Sequence, residues 1–512
     1  MGRVTTNSIT INVTREASLG VLPATPAWYE LEPNTVNQFG TTIAKTERSP
    51  ISRARSRRKG VVTDLDSAVE MEADVTLEML RYFVEGFLFC RAVGGDVYQP
   101  TASTTNGFTV PALSSAQAGR LIYNASGAKT LIFSRGFVNT ANNGLEVLSA
   151  AVTAGGTNIP VAGNAAETPG ANVLVAASIA GIRAAAGDLQ IDAQGNITST
   201  ALDFTTLGIV PGQVIHVGGV DTTHQFFNPA NIGFARVVIV AAGKLTLAKR
   251  DQPFVADDGT STGAGGTPVA VDLLFGSFVR NVRVGDADYQ EVPFQFENVS
   301  PNLMAGGLTG YEYAIGNWAD ALSVTIPLSG KATMSMGFVG LDTTKPTNTR
   351  ATNAANAKAG GRTAAFGTAS DIARLRVQDV DEAGLTTDFK SVTFTLTNNV
   401  AGEKVIAKLG PKYLNAGNIE VDVETQVIFS NPDVIERIRC NRTVGLDWVM
   451  RNGDGGVAFD LPTGTLGGGG REYPANQSVL LNTTYMAHQD DPAQGYTCGV
   501  SFFPVLPPVA CA

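Results

Sequence analysis

Two short stretches, far apart in the chain, constrain its fold more than anything else in it. Residues 65–75 alternate with a period of two: the odd positions are mainly apolar, while Asp66, Glu70, Glu72 and Asp74 share the other face. That alternation describes a β-strand with one buried side. Leu80, Phe83, Val84, Phe87 and Leu88 then recur at helical spacing, after Asp74 and Thr76 as candidate caps. Near the other end, residues 419–424 repeat the pattern, with Glu420, Asp422 and Glu424 on one face and aliphatics on the other. Val427 and Phe429 continue the apolar side, and a helix is expected next, with Asn431 as N-cap and Pro432 at its first position. Both chain ends thus follow one plan, an acidic-striped strand leading into a short helix.

A basic stretch precedes the first striped strand, carrying Arg48, Arg53, Arg55, Arg57, Arg58 and Lys59. It has no apolar periodicity and reads as an exposed loop. One use for it is a nucleic-acid arm, but it contains no aromatic residue to stack on bases. The other is docking onto a carboxylate-rich neighbour, and its direct run into an acidic strand favours that reading.

The rest of the chain reads as mainly β. Residues 8–14 suggest an edge strand. From about 106 to 276 the texture turns Ala/Gly/Thr/Asn-rich, with short β-like runs at 121–123, 131–133, 152–161, 173–175, 214–219, 245–247 and 269–271. Two modules of similar plan are expected there, at 106–186 and 187–276, each with an Asn-rich turn and one fixed Gly (137–147 and 226–237). Longer alternating strands return after 277, through Phe294 and Phe296, Leu322 to Leu328, Met334 to Phe338, and Val392 to Leu396 alternating with threonines. Residues 342–370 read as a polar linker or long loop. The expected organisation is a main domain from 1–105 and 277–512, with one or two small β-domains inserted and projecting from it.

Composition narrows the function. Only 16% of residues are charged, against about 25% in an ordinary soluble domain, so Ala, Thr, Asn and Gly supply much of the surface, which suits extensive protein contact. The net charge of −9 argues against general attraction to nucleic acid. Cys90, Cys440, Cys498 and Cys511 lack metal-ligand spacing, and His216, His224 and His488 are the only histidines. No apolar run reaches the roughly 20 residues of a membrane span, and Met1-Gly2-Arg-Val-Thr-Thr6 meets the loose myristoylation pattern with no second anchoring signal. Asn452-Gly-Asp454-Gly455 lacks the acidic ligands of a calcium loop and reads as a hairpin turn. Leu466-Gly-Gly-Gly-Gly470 has no Lys-Ser/Thr after it and is no phosphate loop. No nucleophile, base and orienter come together, so no catalytic residue, metal or cofactor is assigned.

In serial order, several motifs resemble the major tail tube proteins of long, non-contractile (siphovirus-type) phage tails. They are Pro33-Asn34 and Phe39-Gly40 before Arg48-Ser-Pro-Ile-Ser, then Arg57-Arg58-Lys59-Gly60-Val-Val-Thr-Asp-Leu-Asp-Ser67, and Glu70-Met-Glu-Ala-Asp-Val-Thr76 leading to Glu85-Gly86-Phe87. Leu207-Gly-Ile-Val-Pro-Gly212, Gly233-Phe-Ala-Arg-Val237 and Leu273-Leu-Phe-Gly276 follow. Phe338-Val-Gly-Leu-Asp342, Phe459-Asp-Leu-Pro462 and Gly499-Val-Ser-Phe-Phe-Pro504 close the series. The resemblance implies a tail-tube β-sandwich or barrel in homohexameric rings stacked into a tube, a loop reaching the adjacent ring, and tape measure and terminator proteins as partners. It also implies a place in the virion tail after assembly in the host cytoplasm, and passage of genomic DNA without sequence-specific binding or a membrane. The module at 106–186 departs from the shorter relatives. On this resemblance Asp66, Glu70, Glu72, Asp74, Glu420, Asp422 and Glu424 are expected to line the bore; without it they read as a solvated outer face. A ring of three chains would need a full internal duplication, and the likeness of the two ends is too partial to suggest one. The alternatives are a multi-domain β-protein that binds a surface or carbohydrate, and a nucleic-acid binder using Arg53 to Lys59.

Overall fold

Buried and exposed side chains alternate through most of the long strands, and the architecture follows from which of them share hydrogen bonds. The computed structural model describes residues 4–49, 51, 53, 55–359, 363–378, 388–430, 432–489 and 495–508. In chain order its main body comprises β1 (Thr10–Arg15), β2 (Thr35–Arg48), β3 (Arg58–Asp74), α1 (Leu77–Leu88), β4 (Phe294–Ser300), β5 (Gly310–Ile326) and β6 (Thr333–Gly340). There follow β7 (Ile372–Gln378), β8 (Phe389–Thr397), β9 (Glu420–Ile428), α2 (Asp433–Arg439), β10 (Thr443–Asn452), β11 (Gly455–Glu472) and β12 (Leu480–Ala487).

Eight of these strands form one antiparallel sheet in the order β2–β3–β6–β5–β8–β9–β12–β11. The N-terminal half of β5 leaves that row to pair with β4, which pairs with β1. The N-terminal half of β11 does the same with β10, which pairs with β7. The first seven elements and the last seven therefore repeat one another, both in chain order and in pairing. Registers agree too: Thr333 at the start of β6 faces Asp74, as Leu480 at the start of β12 faces Ile428. Counting along from those pairs, Glu70 and Glu424 hold equivalent places. The likeness of the chain ends, which the sequence suggests is partial, is complete at the level of strand order.

The core lies on the apolar side of this sheet. Met71, Met336, Leu322, Leu396 and Val421 are opposite one another across five strands and all are buried. In the first half α1 covers them, its Thr76 cap accepting from Met79 N–H as the sequence predicts. Phe83 meets Phe294, Phe296 and Phe338 at ring distances of 5.2, 6.3 and 5.4 Å. Gly86 permits this approach, because a Cβ there would sit 2.6 Å from the Phe294 ring. In the second half Trp448 stacks on Phe459 at 4.4 Å beside Phe394. There α2 buries only Val434 and starts at Asp433, with Pro432 at the N-cap and not at the expected first helical position; Asn431 lies outside the described residues.

Between α1 and β4 the chain builds further sheets around a hydrophobic core of their own. No strand from 106–276 joins the main sheet. Within 106–276, Gly144–Val147, Lys129–Arg135 and Ala176–Arg183 lie side by side, mirrored by Gly233–Ala241, Val214–Val217 and Asp272–Leu274. The two sets meet through Arg183 opposite Asp272. Buried Asn142 donates to Glu167 and accepts from Ala165 N–H, and buried Asn231 likewise donates to Asp257 and accepts from Val255 N–H.

Several expectations shift. β1 is no edge strand, since Asn12 lies between Glu30 and Glu297, and its amide donates to Glu297 at 2.6 Å. The runs at 173–175 and 269–271 end just before strands, that at 121–123 makes only a bridge at Tyr123, and 152–161 keeps only Asn158–Ile159. The described residues of 342–370 are largely irregular but packed: Trp28 is buried near Ala354 and Tyr313, and Arg350 pairs with Glu297 at 2.8 Å. The hairpin turn at 452–455 forms as expected, joining β10 to β11.

Candidate functional site

The polar face of the main sheet carries six of the seven carboxylates in three cross-strand rows. In the first, Glu70 is followed by Gly337, Ala321, Thr397 and Glu420 on successive strands. The second reads Glu72, Ser335, Ser323, Thr395, Asp422, and the third Asp74, Thr333, Thr325, Thr393, Glu424. Directly opposed residues point the same way, so one face presents two acidic columns separated by small, hydroxylated or hydrogen-only positions. The columns stand about 19 Å apart, four strand spacings. Asp66 extends the first column toward the tip of β3. Glu70, Glu72, Asp66, Glu420, Asp422 and Glu424 are exposed and Asp74 is half-buried. No lysine or arginine occupies these rows.

Partial neutralisation comes from beside the rows. Lys404 reaches Asp64 and Asp66, both at 2.6 Å, from a short hairpin between β8 and β9 (Ala401–Lys404 and Pro411–Asn415). Those contacts hold the Asp64 carboxyl below its usual range. Lys331 binds Asp74 at 2.6 Å. Burial raises the Asp74 carboxyl, but Lys331 and Asn34 outweigh it and the net shift is downward. Lys412 instead lies over the Tyr413 ring. Glu70, Glu420, Asp422 and Glu424 meet no cation among the described residues. Partial burial, and then the charges of Glu420 and Glu424, push the Asp422 carboxyl upward. The second column therefore carries uncompensated like charge.

The basic stretch is loop only in part: Arg53, Arg55 and Arg57 lie outside the strands, whereas Arg48, Arg58 and Lys59 belong to them. It forms the end of a long β-ribbon, because β2 runs to Arg48 and β3 starts at Arg58. Charged residues carry no burial period, so the strand extension leaves no trace in the sequence. Arg48, Arg53, Arg55, Arg57, Arg58 and Lys59 are all exposed, while Pro50, Ser52 and Ala54 lie outside the described residues. Arg48 and Arg58 are directly opposite one another, a like-charge pairing that costs stability unless an anion joins it. Among the described residues only Arg57 has a carboxylate partner here, Glu47 at 2.7 Å. Ile43, Val61 and Val62 are exposed along the same ribbon.

Sequence reading missed the neutral residues that make the rows uniform, and the partner Asp64. The alternation of threonines with Val392, Phe394 and Leu396 is the signal that could have placed them. Elsewhere the chemistry is structural. Burial drives the His216 imidazole down to about 4, and its Nδ1 contacts the Gly218 carbonyl at 3.0 Å. Among the described residues no three His, Cys, Asp or Glu side chains are grouped to hold a metal, and no helix is long and apolar enough to cross a membrane.

A family model described as phage tail tube protein matches residues 6–487. No curated protein matches the chain. The match spans nearly the whole sequence, so the chain belongs to the phage tail tube protein family.

Proposed function

We propose that copies of this virion tail protein associate side by side into rings of six wall modules, each a four-stranded half of the main sheet (β2–β3–β6–β5 or β8–β9–β12–β11), and that the rings stack into a siphovirus-type tube through which the genome passes at ejection. The acidic rows face the bore. The basic ribbon tip reaches the adjacent ring, and the inserted β-domain at 106–276 projects outward. Tape measure and terminator proteins are the further partners, and assembly takes place in the host cytoplasm before the tail joins the virion.

The observation that carries this reading is the composition of the polar face. A cationic wall would release counterions and bind a duplex; carboxylates separated by Gly, Ala, Ser and Thr give it nothing to hold. The ribbon tip adds support, since its opposed arginines need carboxylates from elsewhere. Electron microscopy of the concentrated protein is the first test, with tubes expected. The combined Glu70, Glu72, Glu420 and Glu424→Lys variant should fold and form tubes but slow genome ejection, most severely at low salt. Unchanged ejection kinetics in phage carrying that variant would contradict the bore assignment.

A further inference from the structure

The main sheet has two open edges. Residues 466–472 of β11 hydrogen-bond to β12 on one side, and among the described residues no strand lies on the other. β2 pairs with β3 on one side, and among the described residues no strand lies on the other. Exposed edges of this kind invite pairing with another chain. The internal repeat identifies the partner. β11 is the counterpart of β5 and β2 the counterpart of β8, and β5 and β8 already pair inside the chain, from Ala321 opposite Thr397 to Ile326 opposite Val392.

We infer that β11 of one copy pairs antiparallel with β2 of the next in that same register, so that each chain supplies two of the ring's wall modules. The inference rests on the tube reading above, and for a ring of six modules it sets the number of chains at three. Carrying the register across puts Arg471 opposite Phe39 and Glu472 opposite Gln38, the counterparts of Val324 opposite Phe394 and Thr325 opposite Thr393.

Three features fit this join. Strand directions alternate without a break from β2 to β11, so a following β2 meets β11 antiparallel. Val36 and Phe39 on β2 are only half-buried, whereas their counterparts Val392 and Phe394 are fully buried under β5; a neighbouring β11 would complete that burial. The run Gly467 to Gly470 lies at the joining edge, with Gly468 and Gly469 at φ of 81° and 93° where β11 bulges against β12. That backbone favours glycine, and its missing side chains let a second strand approach. Closure also needs more than one chain, because eight strands enclose an interior filled by side chains. About 24 strands at roughly 4.8 Å spacing enclose a diameter of at least about 37 Å.

The parental protein is assembled first, so that failure of the tube reading shows as an absence of tubes before any cysteine is added; that result would overturn both proposals. Gln38→Cys and Glu472→Cys are then combined in a chain whose Cys440 and Cys511 are serine. Residues opposed in antiparallel strands lie within disulfide reach. Oxidised tubes should give a covalent ladder that stops at three chains on a non-reducing gel, and neither single variant should give one. A ladder that closes at six chains, or intact tubes without cross-links, would overturn the inference and leave the tube reading standing. If the double variant fails to assemble, the mass of rings released from parental tubes decides instead: three times the chain's 53.4 kDa supports the inference, and six times refutes it.

Discussion

The two halves of the main body share seven elements, yet they differ at the same two junctions. Between β2 and β3 the first half extends a long ribbon with a basic tip; between β8 and β9 the second half has only a short hairpin, whose Lys404 reaches back to Asp64 and Asp66. Between α1 and β4 the first half holds these further sheets, whereas only residues 440–442 separate α2 from β10. Additions fall where they leave sheet pairing untouched. Pairing thus fixes the sheet, and the junctions are free to acquire other tasks.

The difference also shows in how the halves are held together. The insert leaves the first half but docks on the second. Buried Asp460 of β11 takes Arg236 at 3.1 Å and Lys249 at 3.3 Å from the insert, and Tyr496 donates to it at 2.8 Å. Arg374 of β7 reaches Asp251 of the insert at 3.0 Å. Burial alone would raise the Asp460 carboxyl, but Lys249, Arg236 and Tyr496 outweigh it and hold it at about 2. The insert therefore clamps one half onto the other.

The largest effect is expected where the halves differ most in exposure. Arg55, Arg57 and Arg58→Glu together should abolish ring stacking while leaving the subunit's unfolding transition unchanged; abundant long tubes from that variant would remove the ribbon from the inter-ring contact. Next comes the clamp. Asp460→Asn takes from Arg236 and Lys249 the carboxylate that pairs with both and should cost about 3–5 kcal/mol in denaturant unfolding. The wild-type contribution should persist above about pH 4, the ordinary carboxylate range, and fall away as pH drops toward 2. A flat acid limb in the difference between wild type and variant would contradict it.

Equivalent wall positions give the next comparison. Tyr485 of β12 stands where β6 has Phe338, and its hydroxyl donates to the carbonyls of Leu461 and Val444 at 3.0 and 3.3 Å. Tyr485→Phe should cost about 1–3 kcal/mol by leaving a buried acceptor unmet, measured by urea unfolding; Phe338, in its all-aromatic cluster, has no such bond to lose. The smallest effect is at the helix caps. Thr76→Ala should cost about 1 kcal/mol, with no counterpart in the second half, where Pro432 offers α2 no side-chain cap. Equal sensitivity of the two helices to cap substitution, followed by amide exchange, would show that they are not held differently.

What the sequence reveals of this divides along the same line. The acidic stripe, the α1 face, the Thr76 cap and the 452–455 turn are all local, and periodicity exposes them. The repeat of the halves is not local. Phe338 against Tyr485 and Met336 against Thr483 keep only the inward direction of the side chain, so the duplication resides in backbone pairing that no residue identity records. Asn12 misleads for a related reason: a polar residue reads as exposed, but here Glu297 satisfies it within the sheet and is itself bound by Arg350 and Tyr313. The ribbon tip stays hidden because exposed strand ends alternate no apolar residues.

The account stands most directly on the cross-section of an assembled tube. A reconstruction at side-chain resolution should show six wall modules of two alternating kinds, three inserted domains on the outside, and the Glu70 and Glu420 columns facing the bore. Six inserted domains around one ring, or those carboxylates on the outer surface, would contradict it.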